Sequence, residues 1–223
     1  MLTGTVAGLL LVFLVLCLLA VMSPPGFRFE AIYRLNLWLS AESRSGIGSE
    51  YRNTQVVRAA LVELLQRSDV GVFVDVPCGD FNWMSAVRQK VPGFDAKYVG
   101  VDRVGALIAS NRKRHVGLDF RKGTIEELSI RADLLLVRDL LQHLSTTSQL
   151  AILRNLRSTG SRWLLINYEV DLPANTLVRV DPAPRWIELN LELPPFSLRP
   201  IKTFAGDCRD KFYGLFDLSA VVL

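Results

Sequence analysis

The sequence contains little cysteine and no charged residue near its start. Its 223 residues include 3 cysteines, Cys17, Cys78 and Cys208, whose spacing fits neither a disulfide framework nor a zinc site. No Asp, Glu, Lys or Arg precedes Arg28, although charged residues make up 22% of the chain. These features exclude a small disulfide-stapled fold and a disordered chain. They also separate one uncharged segment from a globular domain that is large enough to have its own core.

The uncharged segment, residues 1–23, is predicted to be a single transmembrane anchor. Residues 6–22 are apolar apart from Gly8, and with the preceding residues they approach the ~20 residues needed to span a bilayer. A cleaved signal peptide is the alternative, but such peptides have a basic start and a shorter apolar run. The arginines on the C-terminal flank, Arg28 and Arg34, favour a cytoplasmic domain of a single-pass membrane protein.

Residues 24–39 are expected to form a linker and a juxtamembrane helix. The Pro-Pro-Gly sequence at 24–26 should break any helix. Residues 28–39 alternate basic and apolar side chains, which predicts a short helix against the membrane or the domain. Residues 40–223 are then the globular domain.

Within this domain, short apolar runs alternate with segments of helical character. The runs cover residues 70–74, 98–101, 133–137 and 163–166, and the helical segments cover 54–67, 83–91, 105–113 and 147–156. Near-continuous apolar strands between helices predict an α/β fold with a doubly wound, mostly parallel sheet covered on both faces. The apolar tail, residues 212–222, is expected to close the sheet as an antiparallel edge strand.

Polar residues end the predicted strands, where an open doubly wound sheet binds its ligands. Asp75 precedes a small-residue loop that lets the backbone approach a ligand, beside the free N–H groups of the next helix. Asp102 could accept two hydrogen bonds from a ribose diol, or it could cap a helix. Residues 122–126 precede the strand predicted at 133–137, where backbone groups could hold an adenine. Together these elements predict a cofactor that contains a nucleoside.

The motifs at these strand ends resemble those of class I S-adenosylmethionine-dependent methyltransferases. The first motif of that family is typically D-x-G-x-G-x-G, whereas this chain has Pro77 and Phe81 at the first and third loop glycines and keeps Gly79. The sequence Asp-Val-Pro-Cys-Gly-Asp-Phe-Asn-Trp resembles the loop of a distinct subgroup. Other motifs of that subgroup are matched at residues 45–49, 98–102, 138–144, 189–196 and 210–215.

The resemblance implies S-adenosylmethionine as the cofactor, no metal, and a set of binding residues. Asp75, Pro77, Cys78 and Gly79 would line the methionine end of the cofactor, with Asp80 beside them. Asp102 would hold the ribose hydroxyls, and Thr124 and Ile125 would flank the adenine.

The resemblance also implies catalytic residues and a direct in-line methyl transfer. Arg138 and Asp139 would face the sulfonium and the acceptor. His143 is the candidate general base because histidine titrates near neutrality, although a histidine at this position can also be structural. The expected acceptor is an oxygen or nitrogen of an unidentified small molecule, glycan or lipid. Nucleic acid is not expected as a partner, since the densest basic cluster, residues 112–114, fits a solvated helix end.

The sequence leaves two other functions open, and it departs from the subgroup at one element. A nicotinamide-dependent oxidoreductase would need G-x-G-x-x-G after the first strand, which this loop lacks. A catalytically degenerate domain that acts as a membrane-tethered interaction module is the alternative to an active methyltransferase. The subgroup's Gly-Gly-Trp-Arg element is absent before residues 189–191, so the acceptor stays open. Trp186 could stack on a sugar or ring, or pack as a lid aromatic.

Overall fold

A seven-stranded sheet forms the centre of the computed structural model, which describes residues 25–180, 186–207 and 211–221. Its strands are β1 (Phe73–Asp75), β2 (Tyr98–Asp102), β3 (Asp119–Lys122), β4 (Leu134–Val137), β5 (Trp163–Glu169), β6 (Lys202–Asp207) and β7 (Lys211–Asp217). They lie in the order β3-β2-β1-β4-β5-β7-β6. The first five run parallel, while β7 is antiparallel to both β5 and β6. The predicted α/β fold with a mostly parallel sheet is confirmed.

Helices and short 3₁₀ turns connect the strands. The α-helices are α1 (Pro25–Leu35), α2 (Gln55–Leu65), α3 (Met84–Lys90), α4 (Phe94–Lys97), α5 (Gly105–Arg114) and α6 (Thr146–Ser158). The 3₁₀ turns cover Ile47–Ser49, Tyr51–Asn53 and Leu141–His143. Helix α6 begins at a serine cap, because the Ser145 hydroxyl accepts a hydrogen bond from the Ser148 N–H at 3.3 Å.

The sheet separates two hydrophobic cores. Side chains alternate between its faces, so Phe73 and Leu134 lie in one core, with α2, α3 and α5. Val74 and Leu135 lie in the other, with α6 and residues of the C-terminal loops. Burial on both faces explains why the central strands are almost uninterrupted apolar runs.

The register of the central strands gathers the predicted site at one edge of the sheet. Asp75, the last residue of β1, pairs with Gly100 of β2 on one side and Leu136 of β4 on the other. Because these strands are parallel, Asp102 and Arg138 at the ends of β2 and β4 lie at the same edge as Asp75.

The two edge strands were not predicted. The tail was expected to be the antiparallel edge, but β7 lies between β5 and β6, and β6 is the edge. The opposite edge is β3, in which only Phe120 is buried. Edge strands are commonly polar, which protects their unpaired backbone groups, so neither segment shows the apolar run of a central strand.

The segment before residue 40 packs on the domain. Residues 24–26 were expected to break any helix. This expectation is wrong for the residues that the structure describes, because α1 begins at Pro25. Proline is accommodated in the first turn of a helix. Ile32 is fully buried, and the Gly105 N–H donates to the Glu30 carboxylate at 3.1 Å. The short helix that was expected to lie against either the membrane or the domain therefore lies against the domain.

The predicted transmembrane anchor, residues 1–23, lies outside the described residues. Among residues 25–180, 186–207 and 211–221, no helix is both long enough and apolar enough to cross a membrane.

Candidate active site

The carboxyl edge of the sheet opens into a cavity of about 800 Å³, its open mouth included. This first cavity is lined by eight residues that the sequence had indicated: Asp75, Pro77, Cys78, Gly79, Asp80, Asp102, Arg138 and Asp139. Phe29, Tyr33 and Trp38 line it as well. These three aromatic residues belong to the segment before residue 40, which carries no recognisable motif, so they were not predicted as site residues.

The loop after β1 keeps two left-handed positions although only one glycine remains. Gly79 has φ 56°, and a Cβ there would lie 2.5 Å from the Ser45 hydroxyl oxygen. Phe81, at the third glycine position of the family motif, also has a positive φ of 61°. This conformation costs an L-residue about 1–2 kcal/mol. Burial of the Phe81 ring, 5.3 Å from Tyr98, contributes a comparable ~1.5–3 kcal/mol, so packing maintains the turn.

Asp102 is buried at the end of β2 and faces the loop. One carboxylate oxygen accepts the Gly79 N–H at 3.1 Å, and the other accepts the Val104 N–H at 2.9 Å. Burial raises the pKa of Asp102 to about 6, while these two N–H groups act to lower it. Each oxygen has a second lone pair, so Asp102 can accept further hydrogen bonds from ligand hydroxyls.

Asp75 lies deeper than Asp102 and is 2% exposed. The Tyr98 hydroxyl donates to its carboxylate at 3.1 Å. Burial raises the pKa of Asp75 to about 8; the Tyr98 hydrogen bond opposes this shift, and the Asp102 charge adds to it. At neutral pH the protonated carboxyl therefore dominates, and it can donate a hydrogen bond as well as accept one.

Stability is expected to fall as pH rises through the range in which Asp75 ionises. Because its pKa is about 8 in the folded chain against the usual 3.8, folding takes up a proton between these values. The free energy of unfolding should decrease by up to about 1.4 kcal/mol per pH unit from about pH 4 to about pH 8. The substitution Asp75→Asn should remove the part of this decrease that Asp75 causes, while the smaller part caused by Asp102 should remain. Urea unfolding at several pH values measures it, and an identical pH dependence in both proteins would contradict the expectation.

A loop of residues 43–49, here called the serine-glycine loop, is tied to the loop after β1, residues 76–83, which is here called the motif loop. The Asp80 carboxylate accepts the Ser43 hydroxyl at 3.0 Å and the Arg44 N–H at 2.8 Å. The Asp80 N–H in turn donates to the Ser45 hydroxyl at 2.9 Å. Asp80 lines the first cavity as predicted, but its carboxylate binds the loop, which makes it a positioning residue.

Replacing Asp80 by Ala should loosen the serine-glycine loop. Hydrogen bonds to a charged group contribute about 1.5–3 kcal/mol each, so local opening should become at least about tenfold more frequent. Arg44 is an exposed trypsin site in this loop. Cleavage after Arg44 should therefore accelerate in Asp80→Ala but not in Asp119→Ala, which removes a partly exposed aspartate of β3. Equal cleavage rates in both variants would show that Asp80 does not hold the loop.

Arg138 connects the serine-glycine loop to the end of β4. Its side chain is 4% exposed, and its guanidinium donates to the Gly48 carbonyl at 2.5 Å and to the Tyr213 hydroxyl at 3.0 Å. It also forms an ion pair with Asp139 at 3.0 Å. A Cβ on Gly48 would lie 2.9 Å from the Asp139 carboxylate, so a larger residue at position 48 would have to displace that carboxylate or the loop.

Asp139 is fixed by Arg138 and by groups from the neighbouring strands. Its carboxylate accepts from the Lys211 ammonium at 2.8 Å and from the Asn167 amide at 3.0 Å. Burial acts to raise the pKa of Asp139, but the charges of Arg138 and Lys211 outweigh it and hold the pKa below its usual value. Asp139 is therefore ionised at neutral pH. Asn167 and Lys211 were not predicted as site residues, although Asn167 ends a predicted strand and Lys211 lies in a matched motif.

A second cavity, about 1130 Å³ with its open mouth, adjoins the first. The two share Trp38, Ser45 and Asp139, which therefore mark where they meet. His143 lines only the second cavity, where its ring lies 5.6 Å from that of Trp186 and 6.3 Å from that of Trp38. His143 therefore does not line the same cavity as the motif loop. It lines the cavity that shares Trp38, Ser45 and Asp139 with the first one.

The predicted adenine-flanking residues do not line the first cavity but lie in an adjoining one. Thr124 and Ile125 line a smaller cavity of about 310 Å³. That cavity shares Pro77 and Asp102 with the first one, so Asp102 lies between the motif loop and the Thr124 side.

Comparisons with known proteins identify the fold. No protein-family model matches the chain, and no curated protein does. Among solved structures, the chain is similar to magnesium protoporphyrin IX methyltransferase from Synechocystis PCC 6803 with bound S-adenosylmethionine (13% identity, TM-score 0.52, 88% of this chain and 84% of that one). It is also similar to mitomycin 7-O-methyltransferase (15% identity, TM-score 0.53, 89% and 74%).

A third similar structure is described as a pericyclic reaction enzyme (13% identity, TM-score 0.53, 70% of this chain and 46% of that one). At these identities the likenesses establish the fold alone. The chain has a Rossmann-like methyltransferase fold, and its function must be argued from the site.

Proposed function

We propose that the chain is an S-adenosylmethionine-dependent methyltransferase that acts on an oxygen or nitrogen of an acceptor molecule. The observation that carries the proposal is the meeting of two cavities at Asp139. One is lined by the motif loop and Asp102, as a nucleoside cofactor requires, and the other by the candidate base His143. A transferase needs such an arrangement, because donor and acceptor must be held in line without water between them.

The residues of the first cavity fit the cofactor. Asp102 has lone pairs for the ribose hydroxyls, and Gly79 lines the cavity with backbone atoms alone. Thr124 and Ile125 lie on the adenine side, and Asp75 and Cys78 on the methionine side. When bound, S-adenosylmethionine supplies an electrophilic methyl group. A similar structure was crystallised with S-adenosylmethionine and with S-adenosylhomocysteine, which supports this choice of cofactor.

The remaining site residues act on the acceptor. His143 lines the second cavity and takes the proton of the acceptor as the general base. Asp139, ionised and fixed by Lys211 and Asn167, faces both cavities and orients the acceptor group. Arg138 neutralises Asp139 and holds the serine-glycine loop, so it acts through positioning.

The uncharged N-terminal segment would place this activity at a membrane. Residues 1–23 are proposed to be a retained single-pass anchor with the domain on the cytoplasmic side. The acceptor would then be a small molecule, a glycan or a lipid available at that surface.

Methyl transfer can be tested with the full 223-residue chain in detergent. Incubation with methyl-labelled S-adenosylmethionine and a membrane extract should give a labelled product, and excess S-adenosylhomocysteine should abolish it. A chain that binds S-adenosylhomocysteine but labels nothing in any extract would favour the alternative, a catalytically degenerate domain that serves as a membrane-tethered interaction module.

A further inference from the structure

Several exposed apolar side chains lie in segments that line the second cavity or that are hydrogen-bonded close to His143 in sequence. Leu39, Leu177 and Val180 are 78%, 70% and 75% exposed, and Ile47 and Tyr51 are about half exposed. These five residues are here called the apolar rim. Water-exposed apolar side chains in one region mark a contact surface more often than single scattered ones do.

Three members of the apolar rim line the second cavity or adjoin one of its lining residues in sequence. Ile47 lines the cavity itself, Leu39 follows Trp38, and Tyr51 precedes Arg52. Leu177 and Val180 flank Val178, whose N–H and carbonyl are hydrogen-bonded to Thr146 at 2.9 and 2.8 Å. Thr146 is three residues from His143, so these hydrogen bonds tie the segment to the chain just after His143.

Exposed arginines accompany the apolar rim. Arg44 lines the first cavity, Arg52 lines the second, and Arg179 lies between Leu177 and Val180. Arg52 forms an ion pair with Glu50 at 3.0 Å but remains 76% exposed. Apolar side chains interspersed with basic ones are typical of surfaces that insert into the interface of an anionic bilayer.

The chain enters the described structure beside these cavities. Helix α1 begins at Pro25, and Phe29, four residues later, already lines the first cavity. Four helical residues correspond to only about 6 Å along the helix axis. The 24 preceding residues contain no charge. If they are embedded in a bilayer, the short connection keeps the cavity mouths close to the bilayer surface.

We infer that the apolar rim contacts the lipid bilayer and that the acceptor is a membrane lipid whose polar head group enters the second cavity. The inference rests on the proposed methyltransferase function. In the reaction a head-group oxygen or nitrogen gains the methyl group, the carbon–sulfur bond of the donor breaks, and the acceptor proton passes to His143. Trp38 and Trp186 give the cavity apolar walls, while Lys211 and Arg52 can bind polar or anionic head-group atoms.

Bilayer contact can be measured without any turnover. Leu177→Trp and Val116→Trp are compared in the full chain, reconstituted in vesicles of brominated phosphatidylcholine, which quenches nearby tryptophan. Val116 is the matched control because it is 81% exposed but lies just before β3, at the amino ends of the strands. The emission added by Leu177→Trp should be quenched and that added by Val116→Trp should not. No quenching of either would overturn the bilayer contact and would point to a second copy, a protein partner or residues 1–24 on the rim.

The acceptor class is tested with aspartate variants. The vesicles contain a lipid extract of membranes, and added phosphatidylglycerol makes their surface anionic. Leu177→Asp should lower the transfer of labelled methyl into chloroform-extractable lipid about fivefold, because a negative charge is repelled by the anionic surface. Val116→Asp should not lower it, and both variants should bind S-adenosylhomocysteine as the unmodified chain does. If that ligand binds but the label appears only in water-soluble products, the lipid inference fails alone. If the ligand does not bind the unmodified chain, the proposed function itself fails.

Discussion

Replacement of His143 by Gln is expected to lower kcat about 1000-fold, within the range found when a general base is removed. His143 lines the second cavity beside Trp186 and does not line the first. The affinity for S-adenosylhomocysteine should therefore stay within about twofold of the unmodified value. Single-turnover methyl transfer and calorimetric titration measure the two quantities separately.

The pH profile distinguishes a base from a merely structural histidine. If His143 accepts the proton, kcat of the unmodified chain should fall on the acid side as the base becomes protonated, and His143→Gln should lack this acid limb. The chain contains one other histidine, His115, which is half-buried against Phe81 and lines neither of the two cavities. His115→Gln is thus the matched control and should keep the acid limb. Retention of the limb in His143→Gln would exclude His143 as the base.

Replacement of Asp102 by Asn is expected to weaken the binding of S-adenosylmethionine about 100-fold, or about 2.7 kcal/mol. Both carboxylate oxygens accept backbone N–H groups, from Gly79 and from Val104. An amide nitrogen cannot accept, so one of these N–H groups loses its partner and the motif loop shifts. The variant also loses the charge that strengthens hydrogen bonds to ribose hydroxyls.

The control for Asp102 is Asp119→Asn, which changes an aspartate of β3 that is partly exposed and paired with Arg121. It should bind the cofactor as the unmodified chain does. Urea unfolding of both variants separates lost affinity from lost folding. Unchanged affinity in a folded Asp102→Asn protein would remove Asp102 from the cofactor site.

The central sheet could be predicted from the sequence because burial on both faces leaves a simple signal. Val74 and Leu135 face one core while Phe73 and Leu134 face the other, so the strands that contain them must be apolar throughout. The edge strands β3 and β6 carry charged residues for solvent contact, and no periodicity distinguishes them from loops.

The candidate site was predictable where strands end and unpredictable where distant segments meet. Asp75, Asp102 and Asp139 follow apolar runs, and parallel pairing brings them together. Phe29 and Trp38 reach the same cavity only because α1 packs on the domain, a tertiary arrangement with no spacing signature. The strained turn at Phe81 was equally hidden, because a phenylalanine in place of glycine suggests a different loop until its burial is known.

The central claim is that the first cavity binds an adenosyl cofactor, and one calorimetric experiment tests it most directly. The full chain in detergent is titrated with S-adenosylmethionine, S-adenosylhomocysteine and NAD. The structure predicts saturable one-to-one binding of both adenosyl ligands and none of NAD, since the loop after β1 lacks the glycine pattern of dinucleotide folds. Binding of NAD, or failure of both adenosyl ligands to bind, would contradict the assignment.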